Sequence, residues 1–179
     1  REQGKGTFVA EPEPKLKQEL SQLHGLTDEM EAKGLDIRNK ILSFEVAEVT
    51  KEIRNHLQIP AEETEVVIIR RLRLVDEEPL AIEKVWVPCD LCSDLSKEVL
   101  DDKSLYHLFE ERYNHELDYA RQTVEPTLVN EKESEHLNLP PEALALLFRR
   151  TTYLKNGRII EYTKSIYRSD EYKYEVILQ

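Results

Sequence analysis

Apolar and polar residues alternate with a period of two over several long stretches of the chain and recur at helical spacing over shorter ones. Ile41–Val49, Glu65–Val75, Leu80–Val87, Tyr119–Val129, Ala143–Leu154, Arg158–Tyr167 and Tyr172–Leu178 read as strands. Asp76-Glu77-Glu78-Pro79 and Lys155-Asn156-Gly157 fall between strand pairs and read as hairpin turns, Asn-Gly being a strong two-residue turn signal. Helical signals are more local. Thr27 as a cap, acids in the next turn and Gly34 as a left-handed stop predict a helix over 27–34. Thr50 opens a second over 50–57, with Pro60 beyond its end. Leu100–Asn114 reads as one helix with Leu105, Leu108 and Phe109 on a single face. Asn130 and Glu133 have capping-box spacing for a fourth, running toward Leu137.

Part of this pattern occurs twice. His56-Leu57-Gln58-Ile59-Pro60 returns as His136-Leu137-Asn138-Leu139-Pro140, offset by 80 residues. After each comes an apolar strand ending in paired arginines, Arg70-Arg71 and Arg149-Arg150, then a hairpin and a strand carrying a glutamate. Arg71 precedes Glu83 by 12 residues, and Arg149 precedes Glu161 by the same interval. The implied unit is helix, strand, hairpin, strand. Two such units predict one antiparallel sheet with pseudo-twofold symmetry and helices over one face, an α+β architecture. Ligand sites often lie where such halves meet.

Charge narrows the function. Asp+Glu number 36 against Lys+Arg 25, a net charge of −11. Such a body repels nucleic acid and anionic lipid, so any contact with DNA must be made by a part outside it. No apolar run approaches the roughly 18 residues of a membrane span, and the first residues lack a hydrophobic leader. Cys89 and Cys92 are spaced C-x-x-C, which suits free thiols in a reducing cytoplasm or, alternatively, half a zinc site or a redox pair. Gly4–Val9 reads as a turn and a short strand, and Glu11-Pro12-Glu13-Pro14 as linker. Residues 1–10 are therefore expected to be the tail of a preceding domain and 11–20 a connection.

Arg71 and Arg73 lie two apart on a predicted strand and share a face, with Glu83 opposite Arg71 across the hairpin. Two guanidiniums beside one carboxylate suit a small phosphate or carboxylate. The alternative is a cross-strand Arg71–Glu83 salt bridge with Arg73 in solvent. Ser104 and Tyr106 lie at a helix start, where free N–H groups favour an anion, or Ser104 is an ordinary first-turn serine. Glu161, Ser165 and Tyr167 alternate on one strand, as a sugar-binding face or as the polar face of an edge strand. No G-x-S-x-G, P-loop, H-E-x-x-H or glycine-rich dinucleotide motif appears.

Taken together, these residues resemble the UTRA effector-binding domain of GntR-type transcription regulators of the HutC subfamily, from about Leu20 to Gln179. The resemblance is carried by Gly25–Gly34, by Arg71-Leu72-Arg73-Leu74 with Pro79 and Ala81-Ile82-Glu83, by Ser104-Leu105-Tyr106, and by Glu161–Tyr172. It implies a chorismate-lyase-like fold, a six-stranded antiparallel sheet flanked by helices, in a domain over 21–179. It implies a cytoplasmic homodimer with its C-terminal strands at the interface, no cofactor, and an upstream winged helix-turn-helix whose wing ends in residues 1–10. It also implies a small anionic effector, with Arg71, Arg73, Ser104 and Tyr106 on a phosphate, Glu83, Glu161, Ser165 and Tyr167 on a sugar, and the site closed near Thr27. The resemblance implies a sensor rather than an enzyme. A chorismate-lyase-like enzyme and a bare dimerisation scaffold are the alternatives.

Overall fold

The structure, a computed structural model, describes residues 16–19, 25–101 and 103–175. The expected wing remnant lies outside the described residues. Part of the expected connection does not: Leu16–Glu19 form a strand (β1) paired in parallel with Tyr172–Glu175 (β8).

The rest is built on one antiparallel sheet of six strands. These are β2 (Ile37–Glu48), β3 (Glu65–Val75), β4 (Glu78–Pro88), β5 (Leu117–Leu128), β6 (Leu144–Leu154) and β7 (Ile159–Arg168). Their spatial order is β2-β3-β4-β7-β6-β5. The β3–β4 loop is only Asp76-Glu77, and both residues take positive φ, 48° and 69°. That is the mirror-image turn whose twist suits a two-residue hairpin. In the β6–β7 loop Gly157 supplies the positive φ, 84°, as Asn-Gly foretold.

The sheet order is symmetric about the β4–β7 seam, where Lys84 pairs with Lys164, residues 80 apart. Both ammonium groups lie over the Trp86 ring, 4.8 Å and 5.7 Å from its centre, and Lys164 also pairs with Glu52 at 3.0 Å. Helices α2 (Lys51–Leu57) and α5 (Glu131–Leu137) follow the two edge strands and cross to the opposite half, α2 over β7 and α5 over β4. Their ends match. Thr50 Oγ1 accepts from Ile53 N, and Asn130 Oδ1 accepts from Glu133 N, whose side chain returns the bond to Asn130 N. Gln58 and Asn138 close them in left-handed conformation.

Two expectations need correction. Helices cover both faces of the sheet, not one. On the outer face α2 and α5 bury Ile53, Leu57 and Leu137 against Trp86, Tyr162, Leu72 and Ile82. The inner face is covered by α1 (Leu26–Ala32) and by the segment 97–112. That segment is not one helix. It runs as α3 (Lys97–Leu100), a turn, α4 (Leu105–His107) and one π-helical turn (Leu108–Arg112). The backbone leaves helical geometry at Asp101, and Ser96 and Ser104 each cap a new start, the short hydroxyl competing with a continuing helix. Leu105, Leu108 and Phe109 are nevertheless all buried in the core, as their spacing required. Apart from these corrections, the equal 12-residue interval does not give equal pairing in the two hairpins. Arg71 faces Glu83, but Arg150 faces Thr163 and Thr152 faces Glu161, while Arg149 faces Lys164 on the other side of the sheet. The second hairpin loop is longer, so an equal interval in sequence gives a different register.

Candidate functional site

The inner face of the sheet carries two apolar clusters. One joins α3, α4 and the π turn to β3 and β4. The other joins α1 and Tyr172 to β4, β6 and β7. Each fully buried Leu, Ile or Phe contributes roughly 1.5–3 kcal/mol, so the clusters fix the covering helices on either side of a polar gap. That gap is a cavity of about 50 Å³.

Its floor is a lattice set by strand register. One row runs Arg73, Ala81, Tyr167; the next runs Arg71, Glu83, Ser165, Phe148; a third runs Val85, Thr163, Arg150, Gln122. Side chains two apart on a strand share a face, so the same alternation that exposes Arg70 and Lys84 outward turns Arg71 and Glu83 inward. The roof comes from the beginnings of α1 and α4. A Cβ on Gly25 would stand 3.8 Å from the Tyr106 ring and 3.9 Å from Ser104 Oγ. His107 Nε2 is 2.9 Å from Asp28 Oδ1 and ties the two roof segments together.

All nine residues singled out from the sequence line this one cavity: Thr27, Arg71, Arg73, Glu83, Ser104, Tyr106, Glu161, Ser165 and Tyr167. Arg71 and Arg73 are 5% and 2% exposed, which overturns one half of the salt-bridge reading and leaves the other. The salt bridge exists, with Arg71 Nε donating to Glu83 Oε2 at 2.6 Å, but Arg73 is not in solvent. It donates from Nη1 to the same oxygen at 3.1 Å and from Nη2 to Thr27 Oγ1 at 2.9 Å. Thr27 therefore is not the cap of α1. Gly25 holds that position, its N–H bonded to Asp28 Oδ2, and the Thr27 hydroxyl turns inward from the first turn. Nor is β7 an edge strand: Glu161, Ser165 and Tyr167 lie on a buried central face.

Burial by itself raises the Glu83 carboxyl, but Arg71 and Arg73 outweigh it and hold it at about 2. The cluster is thus a carboxylate with two guanidiniums, one net positive charge out of water. Arg71 Nη1, Arg73 Nε and Thr163 Oγ1 are buried and have no hydrogen-bond partner among the described residues. A donor left in that condition costs about 1–3 kcal/mol. An acceptor-rich group in the cavity removes that cost.

Residues 32–173 match the UTRA domain family. The chain belongs to that family. It is the effector domain of a GntR-family transcription regulator. Over 175 residues it is 32% identical to the HTH-type transcriptional repressor NagR of Bacillus subtilis, covering 97% of this chain and 70% of NagR. It is 29% identical over 177 residues to MngR of Escherichia coli, the mannosyl-D-glycerate transport/metabolism system repressor, covering 99% of this chain and 72% of that protein. The crystal structure of the effector domain of PhnF from Mycobacterium smegmatis shares the fold, with a TM-score of 0.82 at 16% identity, covering 92% of this chain and 99% of that one.

The UTRA cavity also contains polar residues that sequence reading passed over: Arg150, Thr152, Thr163 and Gln122. Arg150 Nε donates to Gln122 Oε1 at 2.7 Å and its Nη1 to the Tyr106 hydroxyl at 3.4 Å. The usable signal was the second arginine of each pair, since Arg150 stands to Thr163 as Arg71 stands to Glu83. Elsewhere in the UTRA domain, Cys89 and Cys92 are free thiols. Burial pushes both up, Cys92 to about 12, which disfavours the thiolate at neutral pH. Among the described residues no group of His, Cys, Asp and Glu is placed to hold a metal ion, and no helix is long and apolar enough to cross a membrane.

Proposed function

We propose that this UTRA domain captures a small organic anion, a sugar phosphate, in the inner-face cavity, and that capture alters DNA binding by a helix-turn-helix domain outside this chain. One observation carries the reading. Two buried arginines that line the cavity each keep an N–H group with no partner among the described residues, beside a single carboxylate, in a chain of net charge −11. Enclosure favours a small anion over a polyanion. Arg71, Arg73, Ser104 and Tyr106 take the phosphate end; Glu83, Glu161, Ser165 and Tyr167 face hydroxyls; Thr27 closes the site. The names of the relatives support a repressor, which we take to work as a cytoplasmic homodimer without catalysis.

The small cavity supports a mechanism. At roughly 10–15 Å³ for each water, about 50 Å³ takes only a few. A sugar phosphate fits once α1 and α4 lift from the sheet. Arg73 holds α1 through Thr27, so a ligand that competes for Arg73 acts on the element nearest the chain's N-terminal segment. The effector then favours one roof position over another by its differential affinity, a population shift.

Thermal melting of the chain against a panel tests this, since a ligand preferring the native state raises Tm. Glucose 6-phosphate is expected to raise Tm, while glucose and a short DNA duplex leave it unchanged. A neutral hexose that stabilises as well as its phosphate ester sinks the proposal.

A further inference from the structure

The floor's second half holds a chain of hydrogen bonds whose direction is dictated at one end. Arg150 Nη1 lies 3.4 Å from the Tyr106 hydroxyl, that hydroxyl 2.9 Å from Thr152 Oγ1, and Thr152 donates to Glu161 Oε1 at 2.8 Å. Arginine has donors only. The Tyr106 oxygen therefore accepts from Arg150, and its single proton is left for the floor. That proton goes to Thr152 or to Glu161, both of which it reaches, and Thr152 donates to Glu161. With Glu161 ionised the hydroxyl protons run toward it, and the Arg150 guanidinium favours that arrangement by its charge and its bond to Tyr106.

We infer that Arg150 is a positioning residue that keeps Glu161 an acceptor, so that the second half of the site selects a ligand presenting a hydroxyl or ammonium donor there. The inference rests on the reading of the cavity as an effector site. It deepens that reading by assigning opposite hydrogen-bond character to the two ends: donors at Arg71 and Arg73, an obligate acceptor at Glu161.

The surroundings of Glu161 explain why such a device is needed. Glu161 is 4% exposed. Burial pushes its carboxyl up, opposed by the Thr152 bond and the Arg150 charge; Glu83 on β4 adds repulsion, and Tyr106 on α4 opposes it. Left to burial and Glu83, Glu161 would take a proton, and the chain could then run the other way, with Glu161 donating to Thr152. A protonated Glu161 no longer requires a donor from the ligand.

Two measurements on the whole chain test this. The first needs no ligand: carbon-13 NMR titration of the glutamate carboxyls, with Glu161 assigned through Glu161→Gln. Arg150→Met is expected to raise the Glu161 midpoint by about one pH unit; a midpoint that stays put in that variant overturns the inference. Arg150→Gln, which removes the charge but keeps a polar side chain, decides the matter if Arg150→Met fails to fold. The second follows binding of glucose 6-sulfate, whose anion does not titrate near neutrality. Affinity is expected to fall as pH drops through the Glu161 midpoint, and in Arg150→Met the fall moves to higher pH with the high-pH plateau within about threefold of the parent. A uniform loss at every pH in Arg150→Met contradicts positioning, because Arg150 would then be contacting the anion itself. Arg71→Met separates the two proposals. It lowers the plateau without moving the midpoint, and absence of binding to the parent chain at any pH counts against the effector reading while the NMR result still stands.

Discussion

The two halves of the sheet share a frame and differ in what they bury. The β2–β4 half places two guanidiniums on one carboxylate and leaves donors over. The β5–β7 half, related to it across the Lys84–Lys164 pair, buries one guanidinium and one carboxylate separated by two hydroxyls. The difference lies in a few inward positions: Arg73 against Thr152, Glu83 against Thr163. A symmetric scaffold thus yields an asymmetric cavity, one pole positive and underbonded, the other a closed relay. A ligand with an anionic head and a donor-bearing body has one orientation in it.

The contrast is broken most severely at its centre. Glu83→Gln leaves Arg71 and Arg73 buried without a carboxylate and is expected to cost about 3–5 kcal/mol in urea denaturation. Glu161→Gln removes a charge that burial already disfavours, and about 1 kcal/mol or less is expected. The pH dependences have opposite signs. The Glu83 carboxyl is depressed, so its stabilisation is full above its ordinary value of 4.5 and is lost as pH falls toward about 2. The Glu161 carboxyl is raised, so its contribution is full below 4.5 and is lost as pH rises through its folded value. Stability measured from neutral to acid pH in each variant checks both, and equal slopes would refute the contrast.

Where the halves are alike, effects should match. Thr50→Ala and Asn130→Ala each remove a cap at equivalent positions and are expected to cost about 1 kcal/mol apiece. Arg149 lies on the outer face, half-exposed and paired with Glu125. Arg149→Ala is expected to stay within about 0.5 kcal/mol and to leave ligand affinity unchanged, although its neighbour Arg150 sits in the cavity wall.

These neighbours show what the sequence could and could not disclose. The Arg71–Glu83 pairing does not follow from the two-residue loop alone: the loop pairs Val75 with Glu78, and a register shift between Arg73 and Leu74 brings Arg71 opposite Glu83. Alternation was enough to put Arg73 on the same face as Arg71. In the second hairpin the loop is longer and a bulge follows Thr152, so the equal interval from Arg149 to Glu161 joins an outward side chain to an inward one. Thr27 looked like a cap because its type suits one; the pull of Arg73 across the cavity is a tertiary effect that local sequence does not carry. The break before α4 was half legible. Ser104 reads as a helix start, but the spacing of Leu105, Leu108 and Phe109 does not say whether that helix begins there or at Leu100, and the two serine caps mark the restart.

The central claim is that donors left over at Arg71 and Arg73 bind an organic anion. Calorimetric titration of the chain with glucose 6-phosphate, parent against Arg71→Met, tests it most directly. Two charge-assisted hydrogen bonds at about 1.5–3 kcal/mol each predict that Kd rises at least about a hundredfold in the variant. A Kd unchanged by the substitution, in a variant that melts as a folded protein, contradicts the account.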